Sequence, residues 1–524
     1  HRDLHSFPTR RSSDLSLNIL RQYIDLPEDD KILADLLTFA GIEVESIKHI
    51  PALPESVITV KVVHAEPVPK TDHLSYCKID IGKAEYHTKD EDGFIQVICG
   101  APNCHSNMTA ILALPGTKLN DFTISEAKIR GIVSHGMLCS EKELGISDHH
   151  AGIVELPSDV ELGISVNSLY QLPDTIFELE ITPNRSDLLG YLGIARDLSA
   201  KLNRELIQPM LDDFEEANGS LKLRLVNEET ELCPRYTARL IEGVTIAESP
   251  LWLKTFLIKS GLRPKNNIVD ITNFVLMEAG HPLHAFDYDK LMPANDSQGY
   301  PDIIIRKATS QEEFVALDGK KYILDPDELL IADGKQASAL AGVMGGEYSS
   351  ITQETKNIVL ECASFHAGSI RKTSYKHKIS TDSSYRFERH ITPSYAHTVS
   401  SRATQLILEI AGGKVSGMLH DSFETEKKDV ILGIRPSRFT ELIGFELSGD
   451  EIKDYMGRLG FEFLQYGSYK AGVISDIKEV YCHHMEEIKH GITEFSELPD
   501  CVHTLYFKVP PFRVDVTREA DIIE

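Results

Sequence analysis

The residues of this chain whose types and spacing could do chemistry fall at four places. His284 stands in Gly280-His281-Pro282-Leu283-His284-Ala285-Phe286-Asp287, just past an apolar helix predicted over 267–279 that carries Thr272 and Asn273. A histidine beyond a helix C-terminus is favoured in its protonated form by the dipole, and its ordinary role there is a cap. Glu361 interrupts the apolar run Ile358-Val359-Leu360-Glu361-Cys362-Ala363. Such a carboxylate either faces solvent on an edge strand or is buried with a partner, because an unpaired buried charge is costly. Asp515, Asp521 and Glu524 offer the oxygen-only ligands that suit a hard cation, the last two at i and i+3 on one helix face, with a solvated acidic helix start as the plain alternative. Lys61, Lys70, Lys78, Lys128 and Arg130 recur in one strand-rich region as a local basic face, which the residues alone leave as a solvated surface.

Other candidates carry less. Cys99 and Cys139 have no base within sequence reach and read as small buried hydrophobes. Cys482-His483-His484 with Cys501 and His503 mimic a zinc set, but their spacing fits no standard pattern, so the stretch 466–506 reads as a solvent loop. The run Gly342 to Glu347 is too glycine-rich for a strand interior and is expected to bring backbone close to a substrate. It is no phosphate loop, since no Lys-Ser/Thr follows it.

The elements that must position these residues follow from periodicity. Residues 16–45 form a helical segment, with Ile32, Leu33, Leu36, Leu37 and Ala40 on one face of the second helix. From Ser56 to Leu144 the pattern turns to short strands (VITVKVV, LSYCKIDIG, FIQVICG, MTAILALPG) broken by Pro, Gly and Asp, which predicts a small barrel or sandwich. Phe177, Leu179 and Ile181 alternate in IFELEIT, and a helix is predicted over 188–202 with Ser186 or Asp187 as N-cap. A mixed α/β stretch runs to Gly413, with hairpins at Asp318-Gly319 and Asp333-Gly334 and a helix over 395–411. Helices over 436–443 and 449–459 and the strand FEFLQY open the last unit.

Composition bounds the rest. The 524 residues suggest three or four domains, and 42% hydrophobic with 26% charged residues excludes a disordered or collagenous chain. No apolar run reaches the roughly 18 residues of a membrane span. Eight cysteines without paired spacing point to reduced thiols and a cytoplasmic setting. A net charge of −26 argues against a global electrostatic grip on nucleic acid, so any such role rests on local patches. Residues 1–15 (through HSFPTRRSSDL) look like translated sequencing adapter and are set apart as an artefact, expected to be disordered. The other end stops inside an acidic amphipathic helix with no cap, as a truncated fragment would.

Together the motifs VITVKVV, CGAPN, KIRG and SHGMLCSEKELG, then ELEITPNRSDLLGYLGIARDLSA, GLRPKNNIVDITNFVLMEAGHPLHAFD, LECASF and STDSSYRFER, resemble in order the β subunit of bacterial phenylalanyl-tRNA synthetase. The resemblance implies an α+β multidomain chain. Its parts would be the segment 16–45, an oligonucleotide-binding β-barrel at 46–160 that binds tRNA, a strand-helix connector at 161–215, a mixed α/β editing domain at 216–415, and a truncated, small helical or winged-helix-like domain at 425–524. His284, Thr272, Asn273, Glu361, Thr381 and Ser383 match the family's editing pocket, where Glu361 would accept a hydrogen bond from the phenol of a misattached tyrosine. Ser383 stands where many relatives carry alanine, and His390-Ile391-Thr392-Pro393 replaces the usual Gly-x-Asp-Pro. Lys70, Lys128 and Arg130 would contact tRNA(Phe). Asp515, Asp521 and Glu524 match a Mg2+ site shared with the α subunit, a fourth ligand lying past the end of this sequence. The α subunit would use ATP to attach phenylalanine, in a heterotetramer of two α and two β chains. A noncatalytic tRNA-binding module and a metal hydrolase built on the terminal carboxylates are the competing readings.

Overall fold

The computed structural model describes residues 13–524 except 28, 72, 88, 120–121, 148–149, 213, 215–218, 296, 424–428, 468–469, 471 and 475–503. The Cys482, His483, His484, Cys501 and His503 set lies outside the described residues. The chain is mixed α/β throughout.

The predicted strands of the first region form one sheet in the order Met137–Leu138, Met108–Ala113, Val57–Pro67, Ser75–Asp80, Ile95–Cys99, every pair antiparallel. The sheet curls back on itself, because His135 N–H donates to Gln96 O at 2.9 Å and Ile98 N–H to Ser134 Oγ at 3.0 Å, giving a nearly closed barrel. Val60, Val62, Cys77, Ile79, Val97, Ala110 and Leu112 fill one core of it.

Residues 13–15 depart from the expectation of a disordered leader. Ser13–Ser16 pairs antiparallel with Asp174–Glu180, and Leu15 is buried in the main core. A single leucine between polar neighbours is all that the alternating burial of a strand requires. The following helices are Leu17–Leu20 and Asp30–Phe39; the second buries Leu33 and Leu37 but leaves Ile32 53% exposed, a narrower face than predicted.

The connector helix spans Tyr191–Leu202 with Gly190 as N-cap, three residues later than predicted. Asp187 cannot cap it, because its carboxylate is held by Arg185, which also pairs with Asp197 at 2.6 Å. Ser186–Leu188 is a 3-10 turn instead. Gly190 then allows backbone to meet backbone, since a Cβ there would stand 2.4 Å from Gly280 N.

The region 216–415 is built in three layers. Helices Asn267–Ala279 and Ala396–Ala411 cover one face of a sheet ordered Leu283–Asp287, Asn357–Ser364, Arg235–Glu242, Lys414–Val415. On its other face lies a second sheet, Arg224–Asn227, Asp302–Lys307, Leu329–Ala332, Ala337–Leu340, Met344–Gly345. Both predicted hairpins are present, and Gly280 ends its helix at φ 72° as the sequence suggests. Alternation sorts the first sheet's side chains: Leu283, Ala285, Ile358, Leu360 and Cys362 join the helical core, while Tyr236, Ala238, Phe286, Val359 and Ala363 join the core between the sheets.

The last unit combines short helices with a small sheet. Its three-stranded antiparallel sheet, ordered Ile431–Ile434, Thr504–Lys508, Glu462–Gly467, packs with helices Pro436–Ile443, Gly449–Arg458 and Glu519–Ile523.

Candidate functional site

Glu361 lies in the second strand of its sheet, with a paired strand on either side and a layer over each face, so edge exposure is ruled out by the topology. Register sets His284 opposite it on one neighbouring strand and Ala238 on the other. Residues directly opposite share a face, so His284 and Glu361 both point between the two sheets. The burial that an apolar strand imposes is then met by a partner the sequence reading did not name: Tyr236 Oη donates to Glu361 Oε2 at 2.7 Å. Burial pushes the Glu361 carboxyl up to about 7, with the Tyr236 hydrogen bond acting in the opposite sense.

His284 is no helix cap. It belongs to the strand Leu283–Asp287, its ring edge-on to Phe286 at 4.5 Å, and burial brings its pKa down to about 4, so the imidazole is neutral at ordinary pH. Its Nε2 is buried with no hydrogen-bond partner among the described residues. The glycine-rich run explains how the ring fits. A Cβ on Gly345 would lie 2.5 Å from His284 Cε1 and 2.9 Å from Nε2, so only a glycine lets the facing strand come that close. His281 is a second neutral histidine, its Nε2 2.9 Å from Ala363 O and its pKa also brought down to about 4 by burial.

Thr381 reaches this site indirectly. It N-caps the short helix Asp382–Phe387 in a capping box with Ser384, and its hydroxyl donates to Val343 O at 2.9 Å, two residues before Gly345. Ser383 is half-buried in that helix's first turn and makes no side-chain hydrogen bond among the described residues. His390 takes φ 65°, the left-handed conformation suited to the glycine it replaces in the motif. Thr272 and Asn273 sit on the helix Asn267–Ala279, whose apolar side belongs to the other core. Thr272 Oγ1 donates to Val269 O within that helix, and the described contacts of neither residue reach His284 or Glu361.

At the barrel, Lys70, Lys128 and Arg130 are exposed and have no ion-pair partner among the described residues. Lys70 and Arg130 project from tight turns at φ 64° and 53°. Lys78 leaves the basic face, neutralised by Asp90 and Asp92 at 3.1 and 3.2 Å. The hydrogen bond with Cys104, and then burial, push the Cys99 thiol up, and burial pushes Cys139 up to about 12, which fits small hydrophobes rather than nucleophiles.

The terminal carboxylates are not brought together. Asp515 takes two bonds from Arg513 at 2.9 Å, and Asp521 is held by Arg518 and the Thr517 backbone. Among the described residues no group of three or more His, Cys, Asp or Glu is placed to hold a metal ion. These residues as arranged do not fit a Mg2+ site.

Comparison with known proteins assigns the two regions separately. Residues 57–165 match the family described as "Putative tRNA binding domain", and residues 232–412 match the B3/4 domain. The chain therefore joins a barrel of the first family to a domain of the second. The phenylalanine–tRNA ligase β subunit of Geobacter metallireducens is 38% identical, covering 97% of this chain and 58% of its own length. That of Desulfotalea psychrophila is 37% identical over 97% of this chain and 57% of its own. The chain is a homologue of the phenylalanine–tRNA ligase β subunits. It spans a little under three fifths of the length of the curated relatives it matches. A crystal structure of an N-terminal fragment of the phenylalanyl-tRNA synthetase β-subunit from Pyrococcus horikoshii aligns at a TM-score of 0.32 and 15% identity, over 67% of this chain and 85% of that one. At that level the two share too little for structural detail to be carried across.

Proposed function

We propose that this chain is the tRNA-binding and proofreading part of a phenylalanine–tRNA ligase, and that its inter-sheet site hydrolyses Tyr-tRNA(Phe). The observation that carries the reading is a buried carboxylate already matched to a phenol: Glu361 accepts from a tyrosine hydroxyl at 2.7 Å on the sheet face it shares with His284. A site built to bond an OH rejects the analogue lacking it by a large factor, whereas a synthetic pocket for phenylalanine cannot strongly exclude one added hydroxyl. Proofreading is the task for which the first kind of selectivity is needed.

In this mechanism the tyrosyl side chain enters beside Glu361 and its hydroxyl donates to the carboxylate. A water is set against the ester carbonyl carbon; its oxygen bonds to that carbon, the bond from carbon to the ribose oxygen breaks, and tyrosine and tRNA with a free ribose hydroxyl leave. The neutral His284 Nε2, buried and unbonded, serves to orient the water or ester rather than to act as a charged acid. The wider assembly completes the reading: the oligonucleotide-binding barrel holds tRNA(Phe) through Lys70, Lys128 and Arg130. The α subunit, with ATP and Mg2+, makes Phe-tRNA in a cytoplasmic heterotetramer of two α and two β chains. The test is single-turnover deacylation of Tyr-tRNA(Phe) and Phe-tRNA(Phe) by the full β chain with its α partner. Preferential loss of the tyrosyl ester is expected; tRNA binding with no deacylation of either would make the chain a noncatalytic module.

A further inference from the structure

Tyr236 lies one diagonal step from Glu361 on the same sheet face, since register sets Tyr236 opposite Ala363 and Ala238 opposite Glu361. Ala238, directly beside the carboxylate, has no polar side-chain group to offer it, and the Tyr236 phenol reaches across to Oε2. Among the described residues Oε1 has no hydrogen-bond partner. One oxygen is therefore committed within the protein and the other is not.

Other groups facing the carboxylate carry no charge near neutral pH. Cys233 precedes the Tyr236 strand and His284 faces from the other neighbour, while Cys362, adjoining Glu361 in its own strand, turns to the opposite, helical face of the sheet. Burial pushes both thiols and the Tyr236 phenol up and the His284 imidazole down to about 4. The second sheet with its connecting turn and the neighbouring hairpin contribute apolar side chains to the core over this face, among them Leu340, Val343 and Phe314. Tyr236 is thus the polar neighbour that offers the Glu361 anion a proton to share.

Building on the proofreading reading above, we propose that Tyr236 is a positioning and specificity residue. Its hydroxyl fixes Glu361 through Oε2, so that Oε1 faces the incoming tyrosyl phenol as an acceptor. The internal phenol sets the orientation and favours the ionised state, and the substrate phenol supplies the second hydrogen bond. A phenylalanyl group leaves Oε1 buried and unpaired, which is the source of the preference.

The experiment uses the full β chain with its α partner and compares the wild type, Tyr236→Phe and Glu361→Gln from pH 5.5 to 8.5. Single-turnover rates with Tyr-tRNA(Phe) and Phe-tRNA(Phe) are taken as a ratio, which cancels the intrinsic base dependence of ester hydrolysis. In the wild type the ratio rises with pH as Glu361 ionises, around pH 7. Because a hydrogen bond to a charged group favours its ionised form, Tyr236→Phe should move that midpoint up by about one pH unit and lower the ratio at pH 7 roughly five- to tenfold, with recovery above pH 8. Glu361→Gln should be flat. The carboxyl infrared band that disappears in Glu361→Gln reports the same midpoint without reference to activity. An unmoved midpoint in both measurements, beside a wild type that prefers the tyrosyl ester, overturns the role of Tyr236. A faster Tyr236→Phe enzyme overturns it too, by making the phenol a competitor of substrate. A wild type with no tyrosyl preference removes the proofreading reading itself.

Discussion

Two side chains that face each other across a strand pair should fail differently when removed. Glu361→Ala takes away the acceptor for the substrate phenol but leaves the ester and water positions, so the tyrosyl rate falls toward the phenylalanyl rate. A charge-assisted hydrogen bond is worth roughly 1.5–3 kcal/mol, which sets the expected loss of selectivity at about ten- to a hundredfold. His284→Ala should slow both esters together, because orienting the ester or water is common to them. Single-turnover deacylation with each charged tRNA decides the matter, and equal losses for both esters in Glu361→Ala, with folding intact, would exclude Glu361 as the reader of tyrosine. Tyr236 shows why a residue-level reading of the sequence stops short. Its phenol and the Glu361 carboxylate are 125 positions apart, and no local pattern links them.

At the scale of elements, the glycine-rich strand and the basic turns each carry a prediction. Gly345 is not at positive φ, so its requirement is one of space. A methyl group there would press on the His284 ring and on Leu317 Cδ1 at 3.0 Å. Overpacking of this kind costs about 1–3 kcal/mol. Gly345→Ala should therefore lower the denaturation midpoint and reproduce the His284→Ala kinetics, slowing both esters. Normal kinetics in Gly345→Ala would show that the strand does not hold the imidazole in place. In the barrel, Lys70 and Arg130 occupy left-handed turns that asparagine tolerates well, so Lys70→Asn with Arg130→Asn removes two charges at little cost to folding. Binding of tRNA should weaken, and the slope of log affinity against log salt should flatten by about 1 to 2. An unchanged slope would put these cations outside the tRNA contact.

For the molecule as a whole, the buried cluster around Asp174 ties the units together. Its carboxylate takes Lys259 Nζ at 2.6 Å, Ser16 Oγ at 2.6 Å and Asn18 N–H at 3.1 Å, joining the N-terminal strand, the connector and the helix Leu251–Lys259 of the B3/4 region. Asp174→Ala leaves the Lys259 ammonium buried without its counter-charge, a change that costs about 3–5 kcal/mol. Replacing both partners, Asp174→Asn with Lys259→Met, should recover much of that loss. Urea denaturation of the three proteins measures it; a double variant less stable than Asp174→Ala would contradict the assignment of a charge latch.

What the sequence determined by itself is what local chemistry dictates. Gly280 ends its helix, the Asp-Gly pairs turn the two hairpins, and the alternation of Phe177, Leu179 and Ile181 marks a buried strand face, because each depends on neighbours a few residues away. The motif order likewise brought out the family and the candidate residues. Tertiary structure alone decided their states. Whether Glu361 lay on an edge or inside, whether His284 capped a helix as a cation or faced the inter-sheet core as a neutral ring, and whether Asp187 was free to cap all turned on partners brought from distant parts of the chain. The burial of a strand is fixed by what pairs and packs against it, and that is set by long-range closure of the chain rather than by the strand's own residues.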